Sequence, residues 1–88
     1  MTYLISFRVA DPAKRAQLIQ RVKTLGAWMV PIDGVVLLDT TYLVGQLQND
    51  LAARIAQTDA LLILQVYPQV SGGYLDPQAW AWLKSRYE

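Results

Sequence analysis

The stretch Tyr3-Leu4-Ile5-Ser6-Phe7-Arg8-Val9 decides the fold that we predict for this chain. Its odd-numbered positions carry aromatic and β-branched residues, whereas its even-numbered positions are mixed and end in a charge. A period of two with these residue types predicts a β-strand whose odd-numbered face lies on a core. Asp11-Pro12 follows, and this pair predicts a helix that begins with Asp as N-cap and Pro at the first helical position.

The composition limits both the size and the chemistry of the protein. With 88 residues, of which 53% are hydrophobic and 17% charged, we predict a single domain over residues 1–88. The sequence has neither Cys nor His, which excludes disulfides, zinc sites of the Cys/His type, and thiolate or histidine catalysis in cis. Charges or turn residues interrupt every long apolar run and no signal peptide is evident, so we expect a cytoplasmic protein without a membrane span.

The first helix is predicted over residues 12–25. Its apolar face recurs at helical spacing in Leu18, Val22 and Leu25, and Gly26 is the residue expected just past a helix end.

A β-hairpin is predicted next. Residues 27–32 suit a strand, and Pro31 places that strand at the edge of a sheet. Asp33-Gly34 is a strong turn signal, and it leads into residues 35–39, which are apolar on both faces.

The second helix has the clearest amphipathic pattern in the chain. Thr40 and Thr41 offer hydroxyl groups for its N-cap. Its apolar side is formed by Val44, Leu47, Leu51 and Ile55.

The last third of the chain adds a strand and a helix. Residues 60–67 predict a strand that is apolar on both faces, and residues 68–76 are predicted to be a linker. A helix is then predicted over residues 77–88, with Asp76 as its cap. Its inner row consists of Trp80, Leu83 and Tyr87.

This order of elements predicts an α+β, ferredoxin-like split βαβ fold (βαββαβ) with an added C-terminal helix, in which residues 1–67 form the core unit and the strands are arranged 4-1-3-2. Both crossover helices cover one face of the sheet. The third and fourth strands do not alternate between apolar and polar residues, so something must cover the second face as well. The C-terminal helix, a partner subunit or both fulfil this requirement, and we expect a homodimer joined through the sheet faces.

Several of these segments resemble a known family. They are Tyr3-Leu-Ile-Ser-Phe7, Leu25-Gly26-x-Trp28, Leu37-Leu38-Asp39-Thr40, Asp59-Ala-Leu-Leu-Ile-Leu-Gln-Val66 and Trp80-x-Trp82-Leu83. In this order they are similar to the SinR-like proteins, small relatives of the CRISPR-adaptation subunit and of the VapD toxins, over roughly residues 2–83. The resemblance implies a ferredoxin-like fold and a homodimer joined through the sheet faces.

The resemblance also bears on catalysis. The CRISPR-adaptation subunit has an Asp near the end of its first strand that is linked to metal-dependent nuclease activity, and Arg8 stands at the matching position here. A guanidinium offers only donors and positive charge, whereas a divalent cation requires oxygen ligands. The family's C-terminal strand is also replaced by a predicted helix. We therefore expect a non-catalytic protein without metal or other cofactor.

The candidate binding residues follow from charge and position. The basic residues are concentrated before residue 24, which predicts a local nucleic-acid-binding surface. That surface would consist of Arg8, Lys14, Arg15, Arg21 and Lys23. The predicted dimer interface consists of Leu4, Ser6, Arg8 and Trp82.

Each candidate has a structural alternative. The simpler interpretation of Arg8 is a strand-end residue that pairs with Asp11, Asp39 or an acid of a second subunit. The simpler interpretation of the other basic residues is a solvated helix face. The tryptophans either provide a stacking platform for bases or fix the last helix to the body.

We expect a homodimeric binding protein that contacts nucleic acid or another protein. The alternatives are a metal-dependent endonuclease that uses Asp11 or Asp39, and a toxin–antitoxin or phage–host regulator that acts by protein contact.

Overall fold

A computed structural model describes residues 1–66, 73–74 and 76–86 of the chain. Its strands are β1 (Thr2–Arg8), β2 (Ala27–Ile32), β3 (Val35–Asp39) and β4 (Ala60–Gln65). Its helices are α1 (Pro12–Lys23), α2 (Val44–Ala52) and α3 (Pro77–Ser85). The protein is therefore a small α+β molecule whose element order agrees with the sequence prediction.

The four strands form one antiparallel sheet in the order β2-β3-β1-β4. This is the predicted strand order. β1 lies in the centre, where Leu4 pairs with Leu37 of β3 on one side and with Leu64 of β4 on the other. The Asp33-Gly34 turn connects β2 and β3, and Gly34 adopts a φ of 82°, which favours glycine because it lacks a Cβ.

The main core lies between the sheet and the two crossover helices. Tyr3 and Ile5 of β1 are fully buried, as the alternation of that strand predicts. They share one cluster with residues from β3 and both helices, namely Val36, Leu38, Leu18, Val22, Leu47 and Leu51. Because these side chains come from two strands and both helices, the cluster fixes both helices on the same face of the sheet.

Two of the predicted helix starts are confirmed and one is wrong. The Asp11 carboxylate accepts the backbone N–H of Ala13 at 2.9 Å, and Asp76 caps α3 in the same manner. The hydroxyl of Thr40, in contrast, does not cap α2, which begins only at Val44. The side chain of Gln46 instead accepts the N–H of the N-cap residue at 2.8 Å.

All three helices are shorter than predicted, and α3, predicted over residues 77–88, ends at Ser85 with Arg86 as its C-cap. α1 ends at Lys23 rather than at residue 25, although Leu25 remains buried in the core. α2 ends at Ala52, so Ile55 lies beyond it, and Val44 is 49% exposed instead of buried.

α3 packs against β2 on the face opposite to α1 and α2. Ala79 and Leu83 are its buried residues, and Leu37, which points to this face from β3, is also buried. The strand predicted over residues 60–67 ends at Gln65. Most of the predicted linker (68–76), together with Tyr87 of the predicted helix row, lies outside the described residues.

Candidate interaction surfaces

The α3 face of the sheet is only partly covered within the described residues. α3 lies over the β2 side, whereas Leu62 and Leu64 on β4 remain 51% and 50% exposed. Their partners on β1 are Ser6 and Leu4, which are partly buried. We refer to Leu4, Ser6, Leu62 and Leu64 as the uncovered patch. The patch contains two of the four predicted interface residues and carries no charge.

Arg8 lies at one end of this patch. It pairs with Ala60 at the last position of β1, its side chain is exposed, and it forms no ion pair with any described residue. A shallow cavity of about 180 Å³ opens beside it, lined by residues of β1 and β4 that include Ser6 and Leu62. The simpler interpretation, an Arg8 paired with Asp11 or Asp39, does not hold in the described part of the chain.

Asp59 adds a negative charge close to Arg8. Its carboxylate accepts the backbone N–H groups of Ala56 and Ala10 at 2.9 and 3.1 Å. These hydrogen bonds hold the pKa of Asp59 below its ordinary value, and the charges of Lys14 and Arg8 lower the pKa further. Arg8 and Lys14 therefore lie at the same end of the molecule as an acid whose main role is to close the turn before β4.

Arg21 is already occupied by an acid. Its guanidinium donates to both oxygens of Asp50 at 2.7 to 3.2 Å, and Arg54 donates to the same carboxylate at 3.2 Å. The hydrogen bond from Arg21, followed by that from Arg54, holds the pKa of Asp50 below its ordinary value, although burial opposes the shift. Arg21 thus joins α1 to α2, and its charge is largely compensated.

The remaining two predicted basic residues also have partners. Arg15 forms an ion pair with Asp33 and lies 5.5 Å from the centre of the Phe7 ring. Lys23 lies 4.3 Å from the ring centre of Trp28, a cation–π contact at the C-terminal end of α1. The structure therefore does not gather the five predicted residues into one basic surface. Arg8 and Lys14 share one end, whereas Lys23 lies at the other end of α1.

Trp28 and Trp82 lie on opposite faces of the sheet and do not act together. Trp28 is 42% exposed and pairs with Leu38, which places it on the α1 side of the sheet, so the prediction that it fixes the last helix is wrong. Trp82 on α3 is half-buried, and the guanidinium of Arg86 lies 4.6 Å from its ring centre. Trp82 is thus covered in part by its own helix.

Asp39 lies at the opposite end of β1 from Arg8, where it pairs with Thr2. Its carboxylate accepts from the N-terminal ammonium group at 3.4 Å and from Arg86 at 3.0 Å. Asp11, the other carboxylate of the endonuclease alternative, caps α1 near Arg8. The two carboxylates therefore cannot share a site, and no three His, Cys, Asp or Glu side chains come together as metal ligands anywhere in the described residues.

Two features of these surfaces are not among the residues predicted from the sequence. The exposure of Leu62 and Leu64 was signalled by a strand that is apolar on both faces, but the sequence does not show which leucines α3 leaves uncovered. The role of Arg86 had no signal, because it depends on contacts with Trp82 and with Asp39, which is 47 residues away.

No helix within the described ranges is long and apolar enough to cross a membrane.

Comparisons with known proteins yield a likeness in fold. The chain is similar to a hypothetical protein, TT1823, from Thermus thermophilus, whose crystal structure superposes with a TM-score of 0.67 at 22% sequence identity. The match covers 85% of this chain and 93% of that chain. No family model matches the sequence, and no curated protein matches it either. The likeness supports the small α+β fold and indicates no activity.

Proposed function

We propose that this protein is a non-catalytic, homodimeric binding protein with a ferredoxin-like split βαβ fold. It resembles the SinR-like and CRISPR-adaptation group and acts by contact with another macromolecule. The observation that carries this proposal is the uncovered patch on the α3 face.

The patch favours a second copy as its first occupant. Leu62 and Leu64 are neighbours on one strand, and burying the exposed half of each contributes about 1 kcal/mol. A two-fold contact covers these leucines on both copies at once, because an isologous interface uses the same patch twice. Leu4 and Ser6 lie along the same face of β1 and extend the contact, whereas Arg8 lies at its end.

The mass of the protein in solution, measured by light scattering over a range of concentrations, tests the dimer. We expect a dimer that Ser6→Lys dissociates, because the new ammonium group lies in the middle of the patch. Leu43→Lys is the matched control, since Leu43 is 59% exposed on the α2 side of the molecule. A monomer at every concentration, or a dimer that Ser6→Lys leaves intact, overturns the face-to-face contact.

Nucleic acid is the macromolecule that we propose for the end of the protein near Arg8. Arg8 and Lys14 are exposed there and form no ion pair with any described residue, so both are available to phosphates. We expect binding to a short duplex DNA or a structured RNA that weakens steeply as salt rises.

Arg8→Glu and Lys14→Glu are expected to weaken that binding and to flatten its salt dependence, whereas Gln17→Glu, an exposed change on the same helix as Lys14, should do so much less. Binding that does not respond to salt or to these substitutions refutes nucleic-acid recognition at this end. If the dimer binds neither the duplex DNA nor the structured RNA, the result supports contact with another protein instead.

A further inference from the structure

The two edges of the sheet differ in how well they are protected. β2, at one edge, contains Pro31, and its pairing with β3 is irregular between Met29 and Ile32. Proline and bulges are the features that keep an edge strand from pairing with another chain. β4, at the other edge, runs from Ala60 to Gln65 without proline, charge or irregularity. An uncharged, regular edge strand of this kind readily pairs with another strand.

The unpaired backbone groups of β4 can be identified. The N–H of Val66 donates to the carbonyl of Thr2 at 2.9 Å, so Val66 faces β1. Successive residues of an antiparallel strand turn their backbone groups to alternate sides. Leu61, Ile63 and Gln65 therefore turn theirs away from β1, where no described strand lies.

We propose that β4 pairs antiparallel with β4 of a second copy, about a two-fold axis at Ile63, so that two sheets join edge to edge. In this register Leu61 lies opposite Gln65 of the second copy, and Ile63 lies opposite its own equivalent. All three outward-facing residues then gain backbone partners, because the strand is paired along its whole length.

The side chains fit the same register. Leu62 lies opposite Leu64 of the second copy in a non-hydrogen-bonded pair, the type of pair in which side chains approach most closely. Both leucines are half-exposed in the single chain. The two-fold axis creates two such Leu62–Leu64 pairs, and in each pair the two side chains cover one another. No charged residue lies on the strand, so the two-fold axis brings no like charges together.

The α2 side of the edge has room for the second copy. A groove of about 330 Å³ runs between α2 and β4, lined by Val44, Gln48 and Ala52 on the helix and by Leu61 and Ile63 on the strand. Val44 is 49% exposed at this groove. The odd-numbered side chains of the added strand point to this side, because they share a face with Ile63.

The edge contact does not depend on the face-to-face dimer. Both contacts involve the side chains of Leu62 and Leu64, but the face contact is centred on Ser6, whereas only the edge contact uses the outward backbone groups of β4. Amide hydrogen exchange measured by NMR over a concentration series, with the mass measured in parallel, separates the two. We expect the amides of Leu61, Ile63 and Gln65 to be protected in the associated protein and to lose protection on dilution.

Gln65→Pro is the decisive variant. It removes an outward N–H without removing a hydrogen bond to β1, because Gln65 lies opposite Tyr3 in a non-hydrogen-bonded pair. One bond is lost from each copy, and each is worth about fivefold in affinity, so association weakens by about 25-fold. Gln65→Ala keeps the N–H and should associate like the wild type.

The possible outcomes are distinct. A dimer in which Leu61 and Ile63 exchange freely overturns the edge contact and leaves the face contact intact. Protection of these amides that does not change with concentration also overturns it, because the edge is then covered within one chain. A dimer that Gln65→Pro weakens and Ser6→Lys does not supports the edge contact and overturns the face contact. A monomer throughout overturns both.

Discussion

Gly26 is the position at which one added methyl group should be most damaging. A Cβ on this residue would overlap the carbonyl oxygen of Asp39 and would lie 3.1 Å from its carbonyl carbon and 3.3 Å from Cα of Thr40. All three are backbone atoms of the neighbouring β3 segment, so they cannot rotate away as a side chain would. Gly26 is exposed and has no left-handed φ, so the constraint is the close approach of two backbone segments.

The magnitude follows from two opposing effects. Overpacking typically costs about 1–3 kcal/mol. The smaller conformational freedom of alanine in the unfolded chain offsets about 0.4–1 kcal/mol of this destabilisation. We therefore expect Gly26→Ala to lower the free energy of unfolding by about 1–2 kcal/mol, which corresponds to a fall in Tm of roughly 4–16 °C for a domain of this size.

Thermal unfolding followed by circular dichroism measures this effect, and Gly45→Ala provides the control. Gly45 lies within α2, and a Cβ there would have no atom within 4 Å. The same substitution should stabilise that helix by about 0.5–1 kcal/mol, because glycine is a poor helix former. If Gly26→Ala is as stable as the wild type, or stabilises the protein as Gly45→Ala does, the close approach is not a constraint and the reasoning is wrong.

Three further substitutions test other contacts. Asp50→Asn should destabilise the protein at neutral pH, since Arg21 stabilises the charged carboxylate. The pKa of Asp50 is lowered in the folded state, so the stability that the carboxylate contributes is lost as pH falls below about 4. The acid denaturation curves of wild type and variant should therefore converge. Thr40→Val should lower the free energy of unfolding, measured in urea, by about 1–3 kcal/mol, because two backbone groups lose the buried hydroxyl as a hydrogen-bond partner. Thr40→Ser keeps the hydroxyl and should cost much less; equal losses would contradict this role. Arg86→Ala should lower the free energy of unfolding by about 1 kcal/mol, because the contacts with Asp39 and Trp82 are lost. It should also speed amide exchange in α3, and unchanged exchange there would show that Arg86 does not hold the helix.

Local patterns in the sequence were sufficient for the arrangement of the main elements. The alternation of β1 showed its buried face, because side chains alternate across a strand whatever lies around it. Asp11-Pro12 and Asp76-Pro77 showed two helix starts, because capping involves only residues within one turn. The short connections then restricted the strand order to the one observed.

The same patterns failed where a distant residue decides the outcome. Thr40 looks like a helix cap, but its hydroxyl donates to the carbonyl of Leu25 at 2.7 Å and accepts the N–H of Tyr42. Gly26 looks like a helix terminator, but it is restricted by the backbone of Asp39. A chain segment cannot show such partners until the sheet brings them together.

The candidate surfaces divide in the same way. The sequence by itself determined that the basic residues concentrate before residue 24 and that β4 is apolar on both faces, because composition and alternation are local properties. Only the tertiary structure decided that Arg21 forms an ion pair with Asp50, 29 residues away, while Arg8 forms no ion pair with any described residue. It also decided that α3 covers the β2 side of its face and leaves Leu62 and Leu64 exposed, because coverage depends on where a helix docks and not on the residues beneath it.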